Sequence, residues 1–252
     1  MLQQQQQALI AHNIAVIRER MAGAARRANR SVDDVTLIAV TKTHTAEVVS
    51  AALAAGVSDC GENRLQEADA KIAALRTRPV RWHLIGHLQR NKAKRAVALF
   101  DLVHSLDSVR LAEALSRHMA EETGPQQAPR RRLPVLLQVN VSGEATKEGF
   151  ALVGGLANQT LLPDFYQAVE QIVALPHLVV QGLMTVAPYS NDPEAARPTF
   201  RLLRQLRDEL ASRFPVASWH HLSMGMTGDF EVAIEEGATL IRAGRAIFGE
   251  RT

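Results

Sequence analysis

The chain has 252 residues, of which 46% are hydrophobic and 22% are charged, and its formal net charge is +3. This length accommodates one α/β barrel or two smaller domains. The balance of 29 Lys and Arg residues against 26 Asp and Glu residues does not indicate nucleic-acid binding, and the single cysteine, Cys60, excludes a disulfide framework and a thiolate metal cluster.

The first predicted element is a helix over residues 4–28. Its apolar residues recur at spacings of three and four: Leu9 or Ile10, Ile14, Ile17 and Met21. We expect this extra N-terminal helix, within residues 1–30, to pack against the outside of the main body. The glutamine-rich start has no signal-peptide core, and no apolar run reaches membrane-spanning length. We therefore expect a cytoplasmic protein without a membrane partner.

Eight short apolar segments follow, and most of them precede a helical pattern. They span residues 35–42, 57–60, 82–85, 102–105, 135–141, 178–184, 219–222 and 239–242. This alternation predicts a single (β/α)8 barrel, also called a TIM barrel, over residues 1–252. A doubly wound open sheet is the alternative. Residues 151–163 match no regular element, and residues 124–132 indicate an exposed loop.

Lys42 stands at the carboxyl end of the first predicted strand. A lysine that leaves a buried strand can lose its proton and attack a carbonyl group to form a Schiff base. The alternative is an ordinary lysine whose charged end reaches into solvent. The other lysines fall in predicted helices or in a polar loop, where we expect solvated side chains: Lys71, Lys92, Lys94 and Lys147.

Binding sites of barrels lie at the carboxyl ends of the strands, and this rule selects a short set of residues. The set includes Lys42, Asn63, His83, Met184, 223–225 and 242–245. The last two ranges are glycine-containing turns after strands seven and eight, a place where barrels commonly bind phosphate. A lysine facing a phosphate site predicts a phosphorylated carbonyl ligand. Pyridoxal 5′-phosphate fits this description, and so does a sugar phosphate.

Two other kinds of site are less well supported. His83 and His87 flank a strand end without neighbouring carboxylates or thiolates in the sequence, so we predict no metal site. The basic segments 90–95 and 130–132 lack interleaved aromatic residues, so we predict solvated surfaces and no nucleic-acid partner.

Several motifs occur together and in order along nearly the whole chain. They are the segments 39–43 (AVTKT), 61–67 (GENRLQE), 82–92 (WHLIGHLQRNK), 139–141 (VNV), 147–149 (KEG), 182–184 (GLM), 222–226 (LSMGM) and 247–249 (IFG). In this combination the chain resembles the family of pyridoxal 5′-phosphate homeostasis proteins.

The resemblance implies a barrel like the N-terminal domain of alanine racemase. It implies that Lys42 holds pyridoxal 5′-phosphate as an aldimine and that Arg242 faces the pyridine nitrogen. Asn63 falls near the cofactor. The implied phosphate cradle consists of Ser223, Met224, Gly225, Gly244 and the position after it. The family usually carries Thr or Ser at that last position, whereas this chain has Arg245.

The function implied by the resemblance is a carrier or regulatory role in intracellular pyridoxal 5′-phosphate homeostasis, without enzymatic turnover. Apo-enzymes that depend on this cofactor are the candidate recipients, and we expect a monomer. Two alternative classes stay open. One is an enzyme, either an amino-acid racemase or a Schiff-base aldolase. The other is an RNA-binding module that uses the basic segment 90–95.

Overall fold

The computed structural model describes residues 2–123, 132–144 and 147–249. Its central sheet contains eight barrel strands: β1 (Thr36–Val40), β2 (Asp59–Glu62), β3 (Arg81–Leu84), β4 (Leu102–Leu106), β5 (Leu133–Asn140), β6 (Leu178–Met184), β7 (His221–Ser223) and β8 (Leu240–Ala243). Each strand pairs in parallel with the next, and β8 pairs with β1, so the sheet closes. The predicted barrel is confirmed, and the open-sheet alternative is wrong.

The barrel interior is packed with side chains. Most strand residues are buried, as expected for parallel strands that are covered on both faces. Five strands contribute to an apolar cluster that is separate from the main core and therefore lies inside the barrel: Ile38, Leu102, Leu136, Met184 and Leu240. This cluster fills part of the barrel interior, so we expect a ligand at the strand ends and in the loops beyond them.

Each barrel strand is followed by a helix. These helices are α2 (Ala46–Ala54), α3 (Leu65–Ala74), α4 (Ala93–Leu99), α5 (Val109–Thr123), α6 (Leu162–Val173), α7 (Arg197–Arg213), α8 (Phe230–Glu235) and α9 (Arg245–Phe248). An additional helix, α1 (Leu2–Arg27), precedes β1 and packs on α2, α8 and α9. Its predicted apolar stripe is buried against the barrel, which confirms the extra N-terminal helix. None of the described helices is both long and apolar enough to cross a membrane.

The bounds of several segments differ from the sequence-based expectation. Residues 151–163, which matched no element, contain the end of a two-residue strand, Phe150–Ala151, that pairs with β5, and a short 3-10 helix, Gly155–Ala157. Strands two and seven each begin two residues later than predicted, at Asp59 and His221. Trp219 has a φ of +47° and is buried, with its indole N–H donating to the Phe214 carbonyl at 2.8 Å. Most of the predicted loop 124–132 lies outside the described residues.

Candidate functional site

A cavity of about 370 Å³ lies beyond the carboxyl ends of the barrel strands. Five predicted site residues line it: Lys42, Asn63, Arg242, Gly244 and Arg245. They come from loops or strands at three places in the chain, and barrel closure brings them together because β1 lies between β2 and β8. The volume is within the range of pockets that hold small cofactors.

Lys42 follows β1 by two residues and is half-buried at the cavity wall. Thr41, between the strand and Lys42, is fully buried, and its backbone N–H donates to the Gly61 carbonyl at 3.0 Å. The backbone just before Lys42 is therefore held in the sheet, and the lysine side chain extends from a fixed point.

Arg242 lies on β8 and is 4% exposed. Its Nη1 donates to Ser223 Oγ at 2.5 Å, and its Nη2 donates to the Thr185 carbonyl at 2.9 Å. Burial lowers the pKa of Arg242 to about 10, while the nearby Asp229 carboxylate acts in the opposite direction. The side chain is therefore cationic at neutral pH and is held by two acceptors at the cavity wall.

The loops after β7 and β8 form another part of the wall. The lining includes Thr227, Gly228 and Asp229 from the first loop, and Gly244 and Arg245 from the second. The Asp229 carboxylate accepts a hydrogen bond from the Met226 N–H at 2.6 Å, and Thr227 Oγ1 accepts one from the Ala246 N–H at 3.4 Å. Burial raises the pKa of Asp229. Sequence reasoning missed Thr227, Gly228 and Asp229, although the glycine-containing motif stands immediately before them.

The predicted phosphate cradle is only partly at this wall. Ser223 and Met224 are fully buried and do not line the cavity, and Ser223 Oγ instead contacts Arg242. Gly225 has a φ of +89°, and a Cβ built there would lie 2.5 Å from the Ala233 Cβ. Glycine at this position lets the chain turn closely over α8 so that the next residues reach the cavity. The part of this loop that lines the cavity is therefore residues 227–229, and residues 223–225 lie behind it.

Asn63 presents an unused acceptor. Its Oδ1 atom is buried and has no hydrogen-bond partner among the described residues. Gly86 packs against this residue, since a Cβ at Gly86 would lie 2.4 Å from the Asn63 carbonyl oxygen. The close approach of the β3 loop thus fixes the Asn63 backbone at the cavity, with an amide oxygen left for a donor.

Lys71 is buried, so the prediction that it is solvated was wrong. Its Nζ donates to Glu62 Oε1 at 2.7 Å and to the Thr41 carbonyl at 2.6 Å. Thr41 Oγ1 donates to the same Glu62 oxygen at 2.5 Å. Burial raises the pKa of Glu62. We call Thr41, Glu62 and Lys71 the support cluster, because it lies directly behind the backbone that carries Lys42.

Two predicted site residues lie away from the cavity. Met184 belongs to the apolar cluster inside the barrel. His83 is fully buried, with its Nε2 2.9 Å from Asp59 Oδ1 and its Nδ1 2.9 Å from His104 Nε2. Neither residue is among the cavity lining, so the expectation that they contact a cofactor directly finds no support in their positions.

A group of three side chains that could hold a metal ion lies at His87, where the sequence showed no neighbouring carboxylates. Folding brings two carboxylates to His87, whose Nδ1 is 3.1 Å from Asp107 Oδ2 and 3.9 Å from Glu148 Oε2. Two of these three side chains are exposed, and charged groups at the surface commonly pair without a metal. The absence of neighbouring carboxylates in the sequence was therefore a poor reason for excluding a metal.

The buried histidines make stability depend on pH. Burial lowers the pKa of His104 well below its ordinary value and that of His221 to about 4. Unfolding returns both to about 6.5, so the unfolded state binds more protons and stability falls as the pH falls below about 6.5. The limit is about 1.4 kcal/mol per pH unit for each proton. Because His221 is only partly buried, solvent screening reduces its share.

Urea unfolding between about pH 7 and pH 5.3 measures this effect above the range in which ordinary carboxylates titrate. We expect the urea concentration at the midpoint to decrease as the pH falls, and this decrease to be smaller in His221→Asn. A decrease that is equal in His221→Asn and the wild type would contradict the assignment of a neutral His221, because this comparison cancels the opposite contribution of the buried carboxyl groups Glu62 and Asp229, whose pKa values are raised.

Comparison with known proteins agrees with the geometry. The family model for the alanine racemase N-terminal domain matches residues 6–252. The pyridoxal phosphate homeostasis protein of Aquifex aeolicus is 42% identical over 92% of this chain and 94% of its own length. The protein of the same name from Pseudomonas aeruginosa is 42% identical over 96% of both chains.

Comparison with solved structures supports the same fold. PipY of Synechococcus elongatus, in a structure with PLP bound, superposes with a TM-score of 0.79 at 35% identity, over 95% of this chain and all of PipY. Alanine racemase of Corynebacterium glutamicum has a TM-score of 0.69 at 16% identity, over 97% of this chain and 62% of the racemase, which supports the fold alone. The chain belongs to the alanine racemase N-terminal domain family and, within it, to the pyridoxal phosphate homeostasis proteins.

Proposed function

We propose that this protein binds pyridoxal 5′-phosphate through a Schiff base to Lys42 and acts in intracellular homeostasis of the cofactor. The observation that carries the proposal is that one cavity is lined by a strand-end lysine, a buried arginine and two adjoining glycine-containing loops. The relatives named above supply independent support, since they carry the name of this function and one of them binds the same cofactor.

The residues of the cavity match the chemical groups of the cofactor. Lys42 offers an amine for the aldehyde, and Arg242 offers a cation for the ring nitrogen. Gly244, Thr227 and Arg245 offer a close backbone, a hydroxyl group and a second cation for the phosphate. The buried Oδ1 of Asn63, which has no partner among the described residues, can accept a hydrogen bond from a cofactor hydroxyl group.

Arg242 argues for a carrier in preference to an enzyme. When bound, the cofactor supplies an electrophilic aldehyde and a ring that withdraws electrons most strongly when its nitrogen is protonated. A guanidinium that is held as a cation cannot accept a proton from the ring nitrogen and keeps that nitrogen unprotonated. The site therefore retains the cofactor while weakening the electron withdrawal that assists amino-acid chemistry.

Borohydride trapping tests the proposal on the wild-type protein. Protein loaded with pyridoxal 5′-phosphate should show a visible Schiff-base band that borohydride removes, and peptide mapping should place the reduced label on Lys42. A label on Lys71 or Lys147 would overturn the site assignment. Incubation of the loaded protein with D- and L-alanine tests the alternative, because steady racemisation at rates typical of enzymes would contradict the carrier function.

We propose a cytoplasmic monomer whose recipients are apo-enzymes that depend on the cofactor. The cavity mouth is accessible, since Tyr189 is 78% exposed and Met226 is 37% exposed at its edge. Sedimentation of the loaded protein measures the oligomeric state. Activation of an apo-enzyme by loaded protein, compared with the same amount of free cofactor, measures transfer.

A further inference from the structure

A line of hydrogen-bonded polar side chains runs through the inside of the barrel. Its members, in order, are Asp59, His83, His104, Ser223 and Arg242, and none is more than 4% exposed. The three contacts from Asp59 to Ser223 are each 2.9 Å long, and the last, from Ser223 to Arg242, is 2.5 Å. We call this set the buried line. Only its last member, Arg242, lines the cavity.

The two ends of the buried line determine the direction of its hydrogen bonds. A carboxylate only accepts hydrogen bonds and a guanidinium only donates them. With both imidazoles neutral, Arg242 donates to Ser223, the Ser223 hydroxyl donates to His104 Nδ1, and His104 Nε2–H donates to His83 Nδ1. His83 Nε2–H then donates to Asp59. This arrangement satisfies every contact, and it assigns the proton to Nε2 in both histidine rings.

The hydrogen bond from Arg242 to Ser223 depends on this order of donors and acceptors. Ser223 Oγ can accept from the guanidinium only when its own proton points elsewhere, and His104 Nδ1 is the acceptor that takes it. Without His104 as an acceptor, the hydroxyl proton of Ser223 would have no acceptor among the described contacts, and Ser223 Oγ would no longer be held in the orientation in which it accepts from the guanidinium. Thr185 would then be the remaining acceptor in the described contacts of the guanidinium.

We propose that His104 and Ser223 are positioning residues that hold Arg242 in the orientation that faces the bound cofactor, and that Asp59 and His83 fix their hydrogen-bond direction. This inference rests on the proposed function. According to this inference, residues that do not touch the cofactor influence its absorbance spectrum and its rate of release. A purely structural role would affect folding stability without altering the spectrum of the cofactor that remains bound.

The test is a comparison of variants loaded with pyridoxal 5′-phosphate. His104→Phe removes the acceptor while keeping an aromatic ring, and Ser223→Ala removes a single oxygen and is the less disruptive change. We expect both to shift the visible absorbance maximum and to release the cofactor about tenfold faster, as expected for the loss of one charge-assisted hydrogen bond. Asp59→Asn, which no longer requires a donor from His83, should give a smaller shift in the same direction.

Two controls make the outcome decisive. His220→Phe changes an exposed histidine outside the buried line and should leave both readouts unchanged. In an Arg242→Gln background, Ser223→Ala should cause no further spectral shift, because the line acts through Arg242. An unchanged spectrum and release rate in Ser223→Ala would overturn this inference and leave the proposed function intact. The same holds if Ser223→Ala shifts the spectrum as much in the Arg242→Gln background as in the wild type. A wild-type protein that lacks the Schiff-base band would overturn the proposed function and this inference with it.

Discussion

Replacing Lys42 with alanine is expected to abolish the visible Schiff-base band and the borohydride-stable label completely. The reason is chemical, since an imine requires a primary amine and no other lysine lines the cavity among the described residues. Lys42→Arg should lose the band equally, because a guanidinium keeps positive charge but does not deprotonate at neutral pH. Absorbance spectra, and mass spectrometry after borohydride reduction, measure both results.

Lys147→Ala is the matched control. Lys147 is also partly buried and lies in a polar loop, where its Nζ is 3.4 Å from Glu144 Oε2. This variant should keep the band at full intensity. If Lys42→Ala retained a band of wild-type intensity with the label on another lysine, the cavity would not be the covalent site. Weak, non-covalent retention of the cofactor by Lys42→Ala is expected, because Arg242 and the loops remain.

The sequence was sufficient to predict the barrel and the place of its cavity. The apolar segments are short and uninterrupted, as buried parallel strands must be, and their number closes a barrel. Once the barrel is assumed, its strand ends identify Lys42, Arg242 and Arg245 as neighbours although 200 or more residues separate the first from the others.

Contacts inside the barrel could not be predicted. Ser223 and His104 are 119 positions apart, and each belongs to a strand whose periodicity says only that it is buried. Lys71 is a polar residue in an ordinary helix, and only the packing of that helix against Glu62 explains its burial. After β7, the sequence predicted that residues 223–225 form the site, whereas residues 227–229 line the cavity. The turn at Gly225 that redirects the chain depends on contact with α8, which the sequence does not show.

Replacing Lys71 with methionine is expected to destabilise the protein by about 3–5 kcal/mol, the usual range for removing one partner of a buried ion pair. Glu62 is fully buried, and its Oε2 has no hydrogen-bond partner among the described residues. Without Lys71, its Oε1 keeps only the Thr41 hydroxyl as a donor in the described contacts. Urea unfolding of the variant and the wild type measures the difference in free energy of unfolding.

The pH dependence of this loss identifies its cause. In Lys71→Met, burial without a cation raises the pKa of Glu62 further above its unfolded value, so Glu62 takes up a proton on folding. Stability linked to such a group is present at low pH and is lost as the pH rises, so the deficit should be larger at about pH 8 than at about pH 5.

The double variant Lys71→Met with Glu62→Gln should recover most of the lost stability, because the uncompensated carboxylate is gone. A loss that is equal at both pH values, or a double variant as unstable as Lys71→Met, would show that packing of the lysine chain matters more than its charge. Loaded Lys71→Met should still carry its borohydride label on Lys42, since the support cluster holds the backbone behind that residue and does not form the bond. Separate measurements of stability and labelling therefore distinguish Lys71, which affects folding, from Lys42, which forms the bond to the cofactor.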